Sequence, residues 1–290
     1  MNKLILSIFL LISVISYGQT YEEKIAAKSC ECISKDSETD NLDELLKKCI
    51  VSSTIEVENN DPSEKDNRQF TVEGIRKTFS DVSKLVIEKC PALRTKVSEQ
   101  KKMKYYKLSD NQKANEYFDK GNQFLDKEQF ELAIEQYKKS IKKDKKFVMA
   151  YDNLGIAYRM NNDLNNAIKT YKKSLKIFPE GDFSLLNIAA AYSMKKNESE
   201  AQKYYDKLIK FYPENPEGYY GSGKTNLILG NNEIALRNTL IAIILYHNQN
   251  SNKISDAETL LGFIQAKMKE DNELEKFKQI TKEFNVEFEE

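Results

Sequence analysis

The side chains with the most chemical potential in this 290-residue chain are few and scattered. Gly218-Tyr219-Tyr220-Gly221-Ser222-Gly223-Lys224-Thr225 satisfies GxxxxGK[ST], the pattern of a loop whose backbone N–H groups cradle phosphates. That chemistry needs a β-strand before the loop and a helix after it. Pro213 and Pro216 stand where the strand would run, so nucleotide binding is not expected. The second set is Cys30, Cys32, Cys49 and Cys90. Their CxC…C…C spacing suits neither the paired CxxC of zinc sites nor the CxxC of redox motifs, and no histidine lies near. An even number of cysteines gathered in one segment suits two disulfides instead. Cys30 and Cys32 project about 200° apart on a helix, so a bond between them is the least expected of the three pairings. Each should reach one of Cys49 and Cys90, with both ways of doing so open. The single histidine, His247, leaves no Ser-His-Asp or Cys-His arrangement to assemble. The 45 Asp and Glu fall mostly in lysine-rich stretches, so no glycosidase-type pair stands out. The expectation is a chain without catalytic residues, cofactor or metal.

The elements that must position these residues read as helices. Glu22–Ser34, Asn41–Val57 and Thr71–Lys89 carry helical patterns, and the polar stretch ENNDPSEKDN separates the second from the third. Asn41-Leu42-Asp43-Glu44 reads as a capping box for the second. Ahead of them, MNKLILSIFLLISVISYGQ has a positive Lys3, an apolar run Leu4–Ile15, and Ser16 and Gly18 placed for a cut before Gln19. This is the form of a secretory signal peptide, and the run is well short of the about 20 residues that span a bilayer. Residues 1–18 are therefore expected to be removed, leaving an exported protein, periplasmic or secreted, without stable membrane insertion. Lys and Arg balance Asp and Glu at 45 each, which argues against nucleic acid or an anionic membrane as the main partner. Residues 19–106 form the expected cysteine-containing module. The lysine-rich run Arg94–Lys113 reads as a solvated helix surface or linker, with a boundary near Tyr106.

From there a period of 34 residues governs the chain. Val148–Gly181 holds two amphipathic patterns broken by Asn161-Asn162-Asp163 and closed by Pro179. Tyr151, Gly155, Tyr158, Ala167 and Tyr171 map 34 residues back onto Tyr117, Gly121, Phe124, Ala133 and Tyr137. One step forward gives Leu185, Ala189, Tyr192, Ala201, Tyr205 and Pro213, and a second gives Tyr219, Gly223, Ala235 and Ala242. The small residues let paired helices approach, and the aromatics fill the space between units. These positions resemble those of the tetratricopeptide repeat (TPR) family. The resemblance implies an all-α fold, an α-solenoid of helical hairpins preceded by a small disulfide-bonded helical module. Residues 107–249 would hold four repeats at about 114–147, 148–181, 182–215 and 216–249, followed by a helical hairpin cap within 250–290. Asn197-Glu198-Ser199-Glu200 and Asn215-Pro216 read as helix starts, as do Ser255-Asp256-Ala257-Glu258 and Asn272-Glu273-Leu274-Glu275 in the cap. IALRNTLIAIILYH is apolar on nearly every side and must be covered on both flanks. The terminal NVEFEE reads as a frayed end. The cysteine segment, ending in Cys90-Pro91, also resembles small helical modules at the start of other exported bacterial proteins, a resemblance that carries no activity.

The family likeness further implies a non-enzymatic scaffold that holds a protein or peptide in a concave groove lined by the first helix of each repeat. The lining would include Phe118, Asn122, Asp152, Ile156, Arg159, Phe183, Leu186, Ala190, Tyr220 and Lys224. Asn122 and Asn153 match positions that some members use to grip a peptide carboxylate. Phe118, Phe183 and Asn187 stand where the basic partners of that clamp would be, so such a grip is not expected. The competing reading is an envelope enzyme or redox protein that uses the cysteines and carries the repeats as a docking arm.

Overall fold

The computed structural model describes residues 20–36, 39, 41–60, 71–284 and 286. The expected signal peptide, most of the ENNDPSEKDN stretch and most of the NVEFEE tail lie outside the described residues. The chain divides into two compact units, one within residues 10–99 and one within residues 100–290. Among the described residues both are helical, without strands, and no helix is long and apolar enough to cross a membrane.

The first unit contains α1 (Tyr21–Lys35), α2 (Leu42–Asn60), α3 (Val72–Lys89) and the start of α4 (Pro91–Tyr105). Thr20 and Glu23 cap α1 reciprocally, each side chain accepting from the other's backbone N–H at 3.2 Å. Asn41 Oδ1 accepts from the N–H of Asp43 and Glu44, so the expected cap of α2 is present on its Asn side. That helix runs through Asn60, taking in the first three residues of the stretch read as a loop. Helix α1 lies against both α2 and α3. The angular divergence of Cys30 and Cys32 then sends them to different partners, giving Cys30–Cys90 and Cys32–Cys49 at Cα separations of 5.4 and 5.5 Å. The bonds flank a small core of Ile25, Ile33, Leu45, Ile50, Val82 and Val86. Closing loops of 60 and 17 residues limits the unfolded chain by about 3–4 kcal/mol each, a large addition for a core this small.

The second unit is a run of five helical hairpins: α5 (Gln112–Asp126) with α6 (Phe130–Lys143), α7 (Val148–Met160) with α8 (Leu164–Ile177), α9 (Asp182–Met194) with α10 (Glu198–Phe211), α11 (Pro216–Ile228) with α12 (Asn232–Asn248), and α13 (Ile254–Glu270) with α14 (Leu274–Glu283). Every helix packs on the next, and the first helices of neighbouring hairpins also touch, which places them along the inner side of the stack. Within each of the first two hairpins a buried tyrosine packs directly on a glycine. A Cβ on Gly121 or Gly155 would run into the rings of Tyr137 and Tyr171. In the third hairpin Ala189 occupies the glycine position, and Tyr205 packs instead against Gly221 of the next unit.

The turn inside each hairpin repeats as well. Glu128, Asn162, Lys196 and Gly230, spaced 34 apart, all have positive φ between 57° and 79°. The residue after each donates its N–H back to a carbonyl five residues earlier: Gln129 to Phe124, Asp163 to Tyr158, Asn197 to Tyr192 and Asn231 to Asn226, at 2.8–3.0 Å. These bonds close the last turn of the first helix, and the left-handed residue is the hinge that aims them.

Helix α12 is enclosed as its composition demands. Leu236, Leu240, Ile243 and Tyr246 join Leu260, Leu261, Ile264 and Phe277 in one core, to which buried Val286 also belongs. Val286 is thus held in place, against the expectation of a frayed end there. Two expected caps are not formed. Helix α13 starts after Lys253 and α14 after Glu273, neither with a side-chain cap. Ser255 Oγ donates to Asn252 O, and Asn272 is itself a positive-φ turn residue. The Asn197 and Asn215 caps are present, with Pro216 in the first turn of α11.

Lysine in the left-handed region is strained where glycine is not. Lys196→Gly is therefore expected to raise the unfolding free energy by about 0.5–1 kcal/mol. A denaturant titration showing no change or a loss would contradict this account of the turn.

Candidate partner-binding face

Each first helix presents one row of side chains spaced by four: Phe118-Asn122-Asp126, Asp152-Ile156-Met160, Leu186-Ala190-Met194 and Tyr220-Lys224-Ile228. An i, i+4 row lies on one face of a helix, so the four rows form a grid along the inner side. Exposure rises along each row. Phe118 and Asp152, at 4% and 1% exposed, lie in the core and offer no surface to a ligand. Phe118 packs on Phe147 with ring centroids 4.9 Å apart. Asn122, Ile156, Arg159, Phe183, Leu186, Ala190 and Tyr220 are half-buried, and Lys224 is exposed. The far ends of three rows, Met160, Met194 and Ile228, are 50%, 55% and 59% exposed. The sequence reading missed them, although their shared place in the 34-residue period was the signal that could have found them.

Asn122 and Asn153 are brought together but are engaged with each other. Asn122 Oδ1 accepts from Asn153 Nδ2 at 2.8 Å and from the Tyr137 hydroxyl at 2.7 Å. Asn187 donates to the Phe183 carbonyl of its own helix. Arg159 differs: its Nε has no hydrogen-bond partner, and neither has the neighbouring Tyr171 hydroxyl. Burial pushes that phenol up, and the guanidinium beside it pulls it partly back.

The lysine-rich run after residue 94 is not simply a solvated surface or linker. Its end, residues 100–106, covers one edge of the grid. Tyr105 stacks on Phe178 at 4.8 Å, and Tyr106 meets the same ring edge-on at 6.0 Å. Lys101 and Lys102 pair with Glu180 and Asp182 at 2.6 and 2.8 Å. The Tyr106 hydroxyl donates to Asp152 Oδ2 at 2.6 Å, while Ser184 donates to Oδ1 at 2.5 Å. Asp152, expected as a groove residue, is the buried anchor of this segment.

The residues that first suggested other chemistry have structural roles. Residues 218–225 lie inside α11, whose backbone N–H groups are committed to the helix. Buried Ser222 Oγ there meets the side-chain amides of Gln202, Asn226 and Asn238 at 2.8–3.2 Å. His247 is exposed in the last turn of α12. All four cysteines are in disulfides.

Burial pushes the Asp152 carboxyl up to about 6 against the hydrogen bonds from Ser184 and Tyr106, and the neighbouring Asp182 adds to the rise. A raised folded-state value means that folding favours the protonated form. The contribution is complete below about pH 4 and is lost as pH rises through about 6. Relative to Asp152→Asn, the wild-type protein should therefore gain stability as pH falls from about 7 to 4, by up to about 3 kcal/mol. Parallel pH profiles of the two proteins would contradict this.

Comparison with known proteins agrees with this geometry. A TPR repeat family matches residues 121–162, and tetratricopeptide repeat families match residues 148–180 and 183–215. Among solved structures, that of MamA protein is similar at 20% identity over 59% of this chain and 90% of that one, with a TM-score of 0.51. MamA from Desulfovibrio magneticus RS-1, residue 41 to the end, is similar at 17% identity over 61% of this chain and 95% of that one, also at 0.51. At these identities the likeness is one of fold. No curated protein matches the sequence. Helical hairpins in 34-residue register, small residues under tyrosines and three family matches agree: this chain carries tetratricopeptide repeats.

Proposed function

We propose that this protein is an exported, non-enzymatic scaffold that holds a segment of a protein partner along the inner face of its repeats. The observation that carries the reading is the exposure of Met160, Met194 and Ile228 at one position of three consecutive repeats. Large apolar side chains aligned on one face are costly to leave in water and mark surfaces that become covered. They continue rows that hold Ile156, Leu186 and Ala190, so the lining is mainly aliphatic. Methionine adapts its shape to irregular partners. An amphipathic helix or an extended strand with alternating apolar residues fits such a surface.

Export is supported by the form of residues 1–18 and by two disulfides, which persist in oxidising compartments. The pairing of every cysteine also favours a structural part for the first unit over the redox reading.

The experiment places a photo-crosslinking residue at position 194 in cells that make the protein, alone and with Met160→Asp and Ile228→Asp. Both substituted residues are exposed, so folding should be retained. The expected result is a specific crosslinked partner whose yield falls about tenfold in the double variant, together with an exported chain beginning at Gln19. Crosslinking that is absent or indifferent to the substitutions would remove the inner face from consideration.

A further inference from the structure

The balance of charge over the whole chain hides a separation within it. Between Lys138 and Lys176 there are eleven Lys and Arg against three acids, Asp144, Asp152 and Asp163. None of the three neutralises the lysines through an ion pair. Asp152 is buried under Tyr106 and Ser184. Asp144 accepts from the Ser109 hydroxyl and the Lys146 N–H. Asp163 caps α8 through the backbone and side-chain nitrogens of Asn166. Among the described residues, Lys138, Lys142, Lys169, Lys173 and Lys176 have no salt bridge, whereas Lys139 pairs with Glu135 at 2.7 Å.

These lysines surround a shaped feature. A cleft of about 300 Å³ opens between α6, α7 and α8, with Lys138, Lys169 and Lys173 at its walls and Leu154, Tyr151 and Tyr158 among its lining. The Lys138 ammonium sits 5.4 Å from the centre of the Tyr158 ring, which holds it at the rim. Lys138 and Lys142 on α6, and Lys169 and Lys173 on α8, are i, i+4 pairs and extend the positive surface along both second helices. This face belongs to the second helices, whereas the inner rows described above belong to the first.

We propose that this basic face is a second docking site, for an acidic polypeptide segment of a partner, with one carboxylate side chain inserted in the cleft between Lys138, Lys169 and Lys173. The complementarity is of charge and of shape. Three ammonium groups without a salt bridge, of which Lys138 feels the Asp163 carboxylate only at longer range, favour an anionic visitor. The aliphatic and aromatic lining favours a group carried on a hydrocarbon stem, as in glutamate. Lysines are point charges without the planar fork that grips phosphate in two places, and the cleft contains no arginine. A concave cleft also receives a projecting chain better than a flat bilayer. The site is independent of the inner face, so either can fail without the other.

The test measures binding of fluorescent poly-L-glutamate to the full chain at low salt, beside phosphatidylglycerol vesicles and inorganic phosphate. Lys138→Glu/Lys169→Glu/Lys173→Glu is compared with an equal charge change on exposed α5-side lysines, Lys113→Glu/Lys120→Glu/Lys127→Glu. Circular dichroism checks the folding of both variants. The expected result is salt-sensitive polyglutamate binding that falls about tenfold in the first variant and much less in the second. Lack of polyglutamate binding, equal losses in the two variants, or binding to vesicles or phosphate in preference to polyglutamate would each overturn the proposal. If the first variant does not fold, Lys169→Ala and Lys173→Ala made singly replace it, and unchanged affinity in both would overturn it equally.

Discussion

The repeat array depends on a tyrosine ring pressed against a helix at a residue that has no side chain. At Tyr137 over Gly121 and Tyr171 over Gly155 the two helices of a hairpin approach closely enough that a methyl group would collide with the ring. Close approach brings the alanines Ala133 and Ala167 to zero exposure, and it sets the spacing at which the next hairpin can stack. The same constraint accounts for the irregular third unit. With Ala189 in the glycine position, Tyr205 turns toward Gly221, so the glycine is supplied by the following repeat. A close-packed interior admits such an exchange only if ring and gap move together.

Stacking hairpins this way leaves the ends of the array to be covered. At the far end an almost wholly apolar α12 is enclosed by α13, α14 and Val286. Midway along the array, residues 100–106 bring Tyr105 and Tyr106 onto Phe178, where the second hairpin meets the third, and hold the buried Asp152. A carboxylate at that depth persists because two hydroxyls donate to it, and its raised titration is the cost of the desolvation that remains. One buried acid thus holds the segment that borders the edge of the inner face.

The polar cluster around the apparent phosphate loop is occupied. Ser222, Gln202, Asn226 and Asn238 satisfy one another, and the apparent phosphate loop is a helix whose small residues serve packing. What remains open is an aliphatic inner face and a lysine-rich face on the second helices.

By itself the sequence determined the hairpins, their period and the need to cover α12; it set the tyrosines between units, whereas Tyr137 and Tyr171 pack on glycines within their own hairpins. Each follows from local periodicity or from a size pattern that recurs 34 residues on. It also narrowed the disulfides to two arrangements, because the turn angle between Cys30 and Cys32 is a local property. Only the tertiary structure decided between those arrangements, since that rests on which neighbour packs on which side of α1. It also decided that Phe118 and Asp152 are buried while Met160, Met194 and Ile228 are not. A repeat position states which way a side chain leaves its helix; it does not state what else in the chain arrives to cover it. Tyr106 reaches Asp152 from 46 residues away, outside the repeat altogether. Charge behaves alike: a net balance is a sum over the sequence, whereas the uncompensated lysines around one cleft follow from which acids the fold has engaged elsewhere.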